Sequence, residues 1–325
     1  MMVGRAIRSV NLGRAQHVGV GNMSLGEQAG RVVIITGASG GLGFEAARVF
    51  AARGATVVLA CRSAAGGESA RARILAEQSR ADVHVGLVDI SLLSSVKAFA
   101  AHLAQQYPAI DVLINNAGIM ATPHALTAEG FELQFATNHL GHFALTGLLL
   151  PLLEARPGGR VVAVSSIAAR SGVIDFDDLM GERNPDPWKA YNQSKLANLL
   201  FARELQRRLS ASARQTSAMA AHPGAATTNL FATPGGFVAK RILSPLLRSF
   251  LFHSAEEGVK PILFAATALE AQPGGYYGPQ GYKEMKGGPG PALVPDQAKD
   301  TTTATRLWRV SENLTGVVYP FDAVG

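Results

Sequence analysis

The sequence predicts an α/β fold: a single-domain, doubly wound parallel sheet with helices on both faces. Two observations carry this. Short apolar segments alternate with longer segments of helical period from residue 31 to residue 221, and the first apolar segment runs through a glycine-rich turn into a helix. The expected elements in order are strand 31–36, helix 42–53, strand 56–61, helix 68–79, strand 83–88, helix 92–106, strand 112–115, helix 130–153, strand 160–165, helix 190–209 and strand 216–221. Near-continuous apolar strands are expected of a sheet buried on both faces, and repeated βαβ units connect through right-handed crossovers. Ligands of such sheets bind beyond the carboxyl ends of the strands.

Composition narrows the class. At 47% hydrophobic residues over 325 positions, with no charge blocks, the chain has ample material for one large core. No repeat of solenoid period and no run of eighteen uncharged apolar residues is visible; residues 143–153 come nearest and are interrupted by Gly147 and Pro151. No membrane span is therefore expected. The only cysteine, Cys61, excludes an internal disulfide and a multi-cysteine metal site, and a cytoplasmic location is expected. The formal net charge is +6, but Arg5, Arg8 and Arg14 lie in an acid-free leader, and without them roughly +3 remains, which gives no reason to expect a nucleic-acid partner. Residues 1–26 read either as an organellar transit peptide or as a flexible or mis-assigned extension ahead of a start near Met23. We adopt the second, with a single catalytic domain over 27–325.

The turn Thr36-Gly37-Ala38-Ser39-Gly40-Gly41-Leu42-Gly43 sits between strand and helix, the context of a phosphate cradle. Gly37 and Gly41 allow a tight turn and close backbone approach to a pyrophosphate, and Gly43 allows helix and strand to pack closely. The helix amino terminus offers its free N–H groups to the anion. Where many NAD-binding folds place an acid at the end of the second strand, this chain has Cys61-Arg62. A guanidinium there can pair with a 2′-phosphate, and no carboxylate repels it, so NADP(H) is expected over NAD(H).

Further along, Asn115-Asn116-Ala117-Gly118 ends the fourth strand, Asn138 lies in the following helix, and Ser165-Ser166 ends the fifth strand. Tyr191-Asn192-Gln193-Ser194-Lys195 starts a helix, and Pro223-Gly224 follows the sixth strand. In this order the set resembles the short-chain dehydrogenase/reductase family from Arg31 to about Val317. The resemblance implies a Rossmann-like sheet and a nicotinamide cofactor. It also implies cofactor contacts from Thr36, Gly37, Ser39, Gly41, Leu42, Gly43, Arg62, Asp89, Ile90, Asn116, Ala117, Gly118, Tyr191, Lys195, Pro223, Gly224 and Thr228. Asp89 would face the adenine amino group, and Pro223, Gly224 and Thr228 the nicotinamide carboxamide. One departure is Gly40, where many NADP-using relatives carry a basic residue.

Tyr191 and Lys195, four apart in a helix, share a face. A phenol near pKa 10 transfers protons poorly at neutral pH, but a neighbouring ammonium and an oxidised nicotinamide both stabilise its phenolate, which suits Tyr191 to general acid/base work. Adjacent strand residues face opposite ways, so one of Ser165 and Ser166 aims at the reacting carbonyl, and the family pattern selects Ser166. Asn138 resembles the member that holds a water relaying protons to Lys195. The 25 positions between Ser166 and Tyr191, the segment Asp175-Phe176-Asp177-Asp178-Leu179, Cys61-Arg62, and Gly275-Tyr276-Tyr277-Gly278-Pro279 with Glu284-Met285 resemble the retinol dehydrogenase-like branch, which adjoins the protochlorophyllide reductases.

The expected function is hydride transfer between NADP(H) and a small lipophilic aldehyde, ketone or alcohol; the alternative is a non-catalytic dinucleotide-binding redox sensor or scaffold. A third reading, light-dependent reduction of a tetrapyrrole, lacks the cysteines it would need. The resemblance places a small helical substrate lid at about 230–253, where Leu243, Leu246, Leu247, Phe250 and Leu251 recur at helical spacing. The same basic, apolar segment would allow peripheral membrane contact. It further implies pairing into a homodimer or homotetramer through the helices after strands four and five. His222 reads as a packed structural histidine. His139 and His142 have no acidic or thiol partners at ligand spacing, so no metal is expected.

Overall fold

The computed structural model describes residues 26–225 and 254–321. Strands β1 (Val32–Thr36), β2 (Thr56–Cys61), β3 (Val83–Leu87), β4 (Val112–Asn115), β5 (Arg160–Val164), β6 (Ser217–Ala221), β7 (Tyr276–Pro279) and β8 (Pro289–Pro291) form one sheet in the order β3-β2-β1-β4-β5-β6-β7-β8. All neighbours are parallel except β7 and β8. The strand order reverses between β1 and β4, and the switch point opens a crevice beyond their carboxyl ends.

Alternate strand residues feed two cores. Val32 and Ile34 join the side chains of α3 (Leu93–Gln106), α5 (Gly141–Leu153), α6 (Pro187–Ala211) and a C-terminal helix, while Val33 and Ile35 join those of α1 (Gly41–Ala51) and α2 (Ala64–Glu77). After the short α7 (Ala255–Gly258), α8 (Lys260–Thr267) completes the second layer, and α9 (Thr301–Thr315) is the C-terminal helix of the first. Helix starts follow local chemistry. Asp186 caps α6 by accepting from the Trp188 and Lys189 N–H groups at 2.7 and 2.9 Å, with Pro187 as first residue. Asp300 caps α9, which ends on Gly316 in the left-handed region at φ 65°.

The structure revises several expected bounds. The helix expected over 130–153 starts at α4 (Leu133–Phe135), widens into a π turn at Ala136–Leu140, and resumes as α5. Helix α6 is longer than expected because Asp186 and Pro187 start it earlier. Strand β3 is not buried on both faces: it is the sheet edge, and Leu87 is 56% exposed. Strands β7 and β8 and helices α8 and α9 were not among the expected elements. The lid at 230–253, Thr228 and nearly all of the N-terminal extension lie outside the described residues. Among the described residues, no helix is long and apolar enough to cross a membrane.

Helix α9 docks through Trp308, which is 2% exposed and lies 5.9 Å from Phe201, 5.0 Å from Phe143 and 4.5 Å from Tyr319 between ring centroids. The guanidinium of Arg208 covers its outer face at 4.5 Å. Trp308→Ala should therefore lower the unfolding free energy by about 3–5 kcal/mol in urea titrations. A loss below about 1 kcal/mol would mean that α9 is peripheral to the cooperative unit.

Candidate active site

The crevice is built around the hydroxyl of Thr36, the last residue of β1. Its oxygen accepts the N–H groups of Asn116 and Ala117 at 2.8 and 2.9 Å. Its proton goes to His142 Nε2 at 2.9 Å, because His142 Nδ1 must donate to the Asn138 carbonyl at 3.0 Å. Burial pushes the His142 pKa down to about 4, so the ring is neutral and this tautomer is the one that satisfies every partner. His139 is likewise pushed down to about 3 by burial and bonds Ser311 on α9. Both histidines thus brace helices.

The glycine turn closes against the same segment. Gly37 has φ 68°, and a Cβ on it would come within 2.9 Å of the Ala117 Cα. A Cβ on Gly43 would sit 2.6 Å from both Asn116 Nδ2 and the Gly37 carbonyl oxygen. Gly40, the residue before α1, has no side chain with which to cap the helix, so its first N–H groups face the crevice. The crevice has a volume of about 570 Å³, within the range of a cofactor or substrate site.

Most of the expected site residues meet there. Gly37, Ser39, Gly41, Leu42, Arg62, Asp89, Ile90, Asn116, Ala117, Gly118, Ser166, Tyr191, Lys195, Pro223 and Gly224 all line it. Thr36 and Gly43 lie behind this lining as braces. Arg62 is exposed and carries no ion pair among the described residues, while the neighbouring Cys61 thiol is buried against Ser39 and raised in pKa by that burial. Asp89 Oδ1 accepts from the N–H and hydroxyl of Ser91. Ala60, Val88, Ile119, Met120, Thr137 and Ala225 also line the crevice and were not singled out from sequence. Each lies within a few residues of a recognised motif, which was the one signal available.

Ser165 also lines the crevice, but its hydroxyl donates to the Lys195 carbonyl at 2.7 Å, whereas the Ser166 hydroxyl accepts the Ala168 N–H at 3.2 Å and lies beside the Tyr191 phenol. The phenol is buried, and burial raises its pKa, with the neighbouring Ser166 hydroxyl pulling the other way. Lys195, 4% exposed, donates from Nζ to the Val164 carbonyl at 3.2 Å, and burial lowers its pKa to about 8. Burial is the largest influence on the phenol in the chain alone. The Lys195 Nζ lies 5.8 Å from the Tyr191 ring centroid and is turned to a carbonyl, so desolvation of the phenol wins.

Asn138 also differs in detail from the expected water holder. Its Oδ1 accepts from the Ile119 N–H at 2.9 Å, and its Nδ2 donates to the Ile119 carbonyl and to Ser194 Oγ, both at 2.9 Å. Both amide protons are spent, so this side chain braces the segment after β4 against α6, and one Oδ1 lone pair remains for a water. The segment between Ser166 and Tyr191 folds over the start of α6: Gln193 accepts from Asp175 N–H at 2.8 Å and donates to the Leu179 carbonyl at 3.0 Å.

This crevice, with a buried tyrosine beside a serine, a lysine one turn on and a glycine cradle, sits in a chain with clear relatives among known proteins. The short chain dehydrogenase family matches residues 31–234. The chain belongs to this family. Within it, mouse (Mus musculus) retinol dehydrogenase 12 is 40% identical over 293 residues, spanning 89% of this chain and 87% of that protein. Human (Homo sapiens) retinol dehydrogenase 13 is 39% identical over 296 residues, spanning 90% and 86%. A crystal structure of a Mycobacterium paratuberculosis protein superposes with a TM-score of 0.74 at 42% identity, covering 91% of this chain and 97% of that one. The chain is thus an oxidoreductase of the short-chain family with retinol dehydrogenase relatives, and members of that family bind a nicotinamide dinucleotide.

The depressed pKa of Lys195 has a consequence for stability. Its unfolded value lies near 10.5, so between about pH 8 and 10.5 the unfolded chain holds a proton that the folded chain has released. Stability contributed by this group therefore rises with pH across that window and is lost as pH falls through about 8. Lys195→Met should flatten the difference in stability between pH 8 and pH 10.5 relative to the native chain, measured by denaturant titration at both values. An unchanged slope would place the ammonium in water rather than in the core.

Proposed function

We propose that the chain is an NADP(H)-dependent oxidoreductase acting on small lipophilic aldehydes, ketones or alcohols, with Tyr191 as the proton donor and acceptor. The observation that carries this reading is that Ser166, the buried Tyr191 and the glycine cradle line one continuous crevice. A sensor or scaffold would need the cradle but not that pair.

The residues fit the dinucleotide. The places a Cβ would fill at Gly37 and Gly43 keep the turn tight enough for a pyrophosphate beside the first N–H groups of α1. Arg62 is free to pair with a 2′-phosphate, and one Asp89 oxygen remains available for the adenine. Lys195, Pro223 and Gly224 would hold the nicotinamide riboside. The nicotinamide, when bound, supplies or accepts the hydride. Tyr191 Oη gives its proton to the substrate oxygen in reduction and takes it back in oxidation, while Ser166 Oγ donates a hydrogen bond to that oxygen as charge develops on it. Because burial keeps the phenol protonated at neutral pH, the site is better prepared for reduction of a carbonyl than for oxidation of an alcohol. The exposed indole of Trp188, 6.2 Å from the Tyr191 ring, together with Ile119 and Met120, supports an apolar substrate.

NADPH should bind at least about tenfold more tightly than NADH, and Arg62→Ala should abolish the difference, as expected for one charge-assisted phosphate contact. Titrations of both dinucleotides against both proteins check this, and equal affinities in the native chain would assign the preference elsewhere. Tyr191→Phe should remove nearly all turnover of a straight-chain aldehyde and leave dinucleotide binding unchanged. In the native protein, kcat/KM should rise with chain length by a factor worth up to about 0.8 kcal/mol per methylene. Retained activity in Tyr191→Phe, or a series that falls from short to medium chains, would overturn the proton-transfer or the lipophilic assignment respectively.

A further inference from the structure

Three loops at the carboxyl ends of β5, β6 and β7 converge on one carboxylate that the proposed mechanism does not use. Arg170, in the 3-10 turn Ile167–Ser171 directly after Ser166, donates from Nη2 to Glu284 Oε2. His222, directly after β6 and fully buried, bonds the same oxygen through Nε2 at 2.9 Å. Glu284 Oε1 accepts the Leu293 N–H at 2.8 Å. On the other side of the ring, Gly224 N–H donates to His222 Nδ1 at 3.1 Å.

We propose that Glu284 is a positioning residue for the nicotinamide end of the crevice, fixing the His222 tautomer that holds the backbone of Gly224. This rests on the reading that Pro223–Gly224 faces the nicotinamide. The ring has one proton to place. Gly224 N–H needs an acceptor, so Nδ1 must be bare and Nε2 must carry the proton, and the carboxylate stabilises that form. Burial lowers the His222 pKa, so a doubly protonated ring does not compete at neutral pH. Without the carboxylate, the Nε2 proton would lie buried without its acceptor. Moving it to Nδ1 would set donor against donor at Gly224.

The backbone of the same segment supports the loop directly. Ala225 N–H donates to the Met285 carbonyl at 3.1 Å, and a Cβ on Gly224 would lie 2.5 Å from that oxygen and 3.0 Å from the Glu284 carbonyl. Lys283 and Glu284 both occupy the left-handed region, at φ 49° and 57°. Two consecutive non-glycine residues stay there only where their surroundings over-determine them, as the contacts to Arg170, His222 and Leu293 do. Gly278 lets the ring seat, because a Cβ there would come within 2.0 Å of His222 Nε2. The arrangement couples the segment that carries Ser166 to the loop that carries Gly224 through one side chain.

The test uses the full chain and Glu284→Ala, Glu284→Asp and Glu284→Gln. Two dissociation constants are compared: that of whichever dinucleotide the native chain binds more tightly, and that of the matching ADP-ribose or 2′-phospho-ADP-ribose, which lacks the nicotinamide. Glu284→Ala should weaken the dinucleotide and lower kcat by about ten- to a hundredfold, as displacement of a reacting group does, while the fragment binds as in the native chain. Glu284→Asp should recover part of the loss. Equal losses for dinucleotide and fragment, or no loss for either, would overturn the proposal. If Glu284→Ala does not fold, Glu284→Gln and His222→Gln provide the same paired comparison. Failure of the proposed function would show separately, as a native chain that turns over no carbonyl, while the binding comparison still reads the role of Glu284.

Discussion

The crevice depends on one buried hydroxyl. Thr36 stands where the strand order reverses, and no ladder of regular hydrogen bonds continues past the ends of β1 and β4 to hold their trailing segments together. Its oxygen takes two N–H groups from the chain leaving β4, and its proton reaches His142. Asn116 returns a bond of 2.7 Å from Nδ2 to the Thr36 carbonyl. A valine of similar shape would keep the packing but leave the Ala117 N–H without an acceptor, at about 1–3 kcal/mol, and the Asn116 N–H with the Ile114 carbonyl at 3.0 Å alone. The glycine turn then has a fixed wall to close upon, since Gly37 and Gly43 approach Ala117 and Asn116 more closely than any side chain would allow.

From that point a continuous polar path runs through the interior to Tyr191 and Lys195. His142 meets the Asn138 carbonyl, Asn138 meets Ser194, and Ser194 Oγ donates to the Tyr191 carbonyl at 2.8 Å. A second branch ties Lys195 and Asn198 to the Val164 carbonyl and Ser165 to the Lys195 carbonyl. Satisfied buried networks of this kind rigidify a core, because each member would be left unpaired by a small shift of its neighbour. The rotation of α6 about its axis is thereby set by polar contacts as well as by its apolar face, and so is the direction of Tyr191.

Much of this was legible in the sequence because it is written in residues with narrow physical uses. Glycines at 37 and 43, a tyrosine and lysine four apart, and a serine pair at a strand end predicted which residues would meet, and the structure brings all of them except Gly43, which lies behind the lining, into one crevice. The π turn was not legible: a change of hydrogen-bond register over Ala136–Leu140 leaves the apolar pattern of the helix intact. Strands β7 and β8 are short and rich in glycine and proline, so neither period nor propensity marks them. Edge position is a tertiary property, which is why β3 could be recognised as a strand but not as the exposed one. Glu284 stood out only as part of a family pattern, since its partners Arg170 and His222 are 114 and 62 positions away.

The electrostatics of the proton-transfer end follow from burial more than from pairing. Lys195 is pushed toward its neutral form and Tyr191 toward its protonated form by the same loss of water, so in the protein alone the two do not form a charge pair. Each is held instead by neutral dipoles, the Val164 carbonyl and the Ser166 hydroxyl. Ionising the phenol inside this crevice would be favoured by a further positive charge close to it. Under the proposed function, an oxidised nicotinamide at the Pro223–Gly224 end would bring such a charge and a reduced one would not. On the proposed reading, Tyr191 would stay a proton donor until that charge is present.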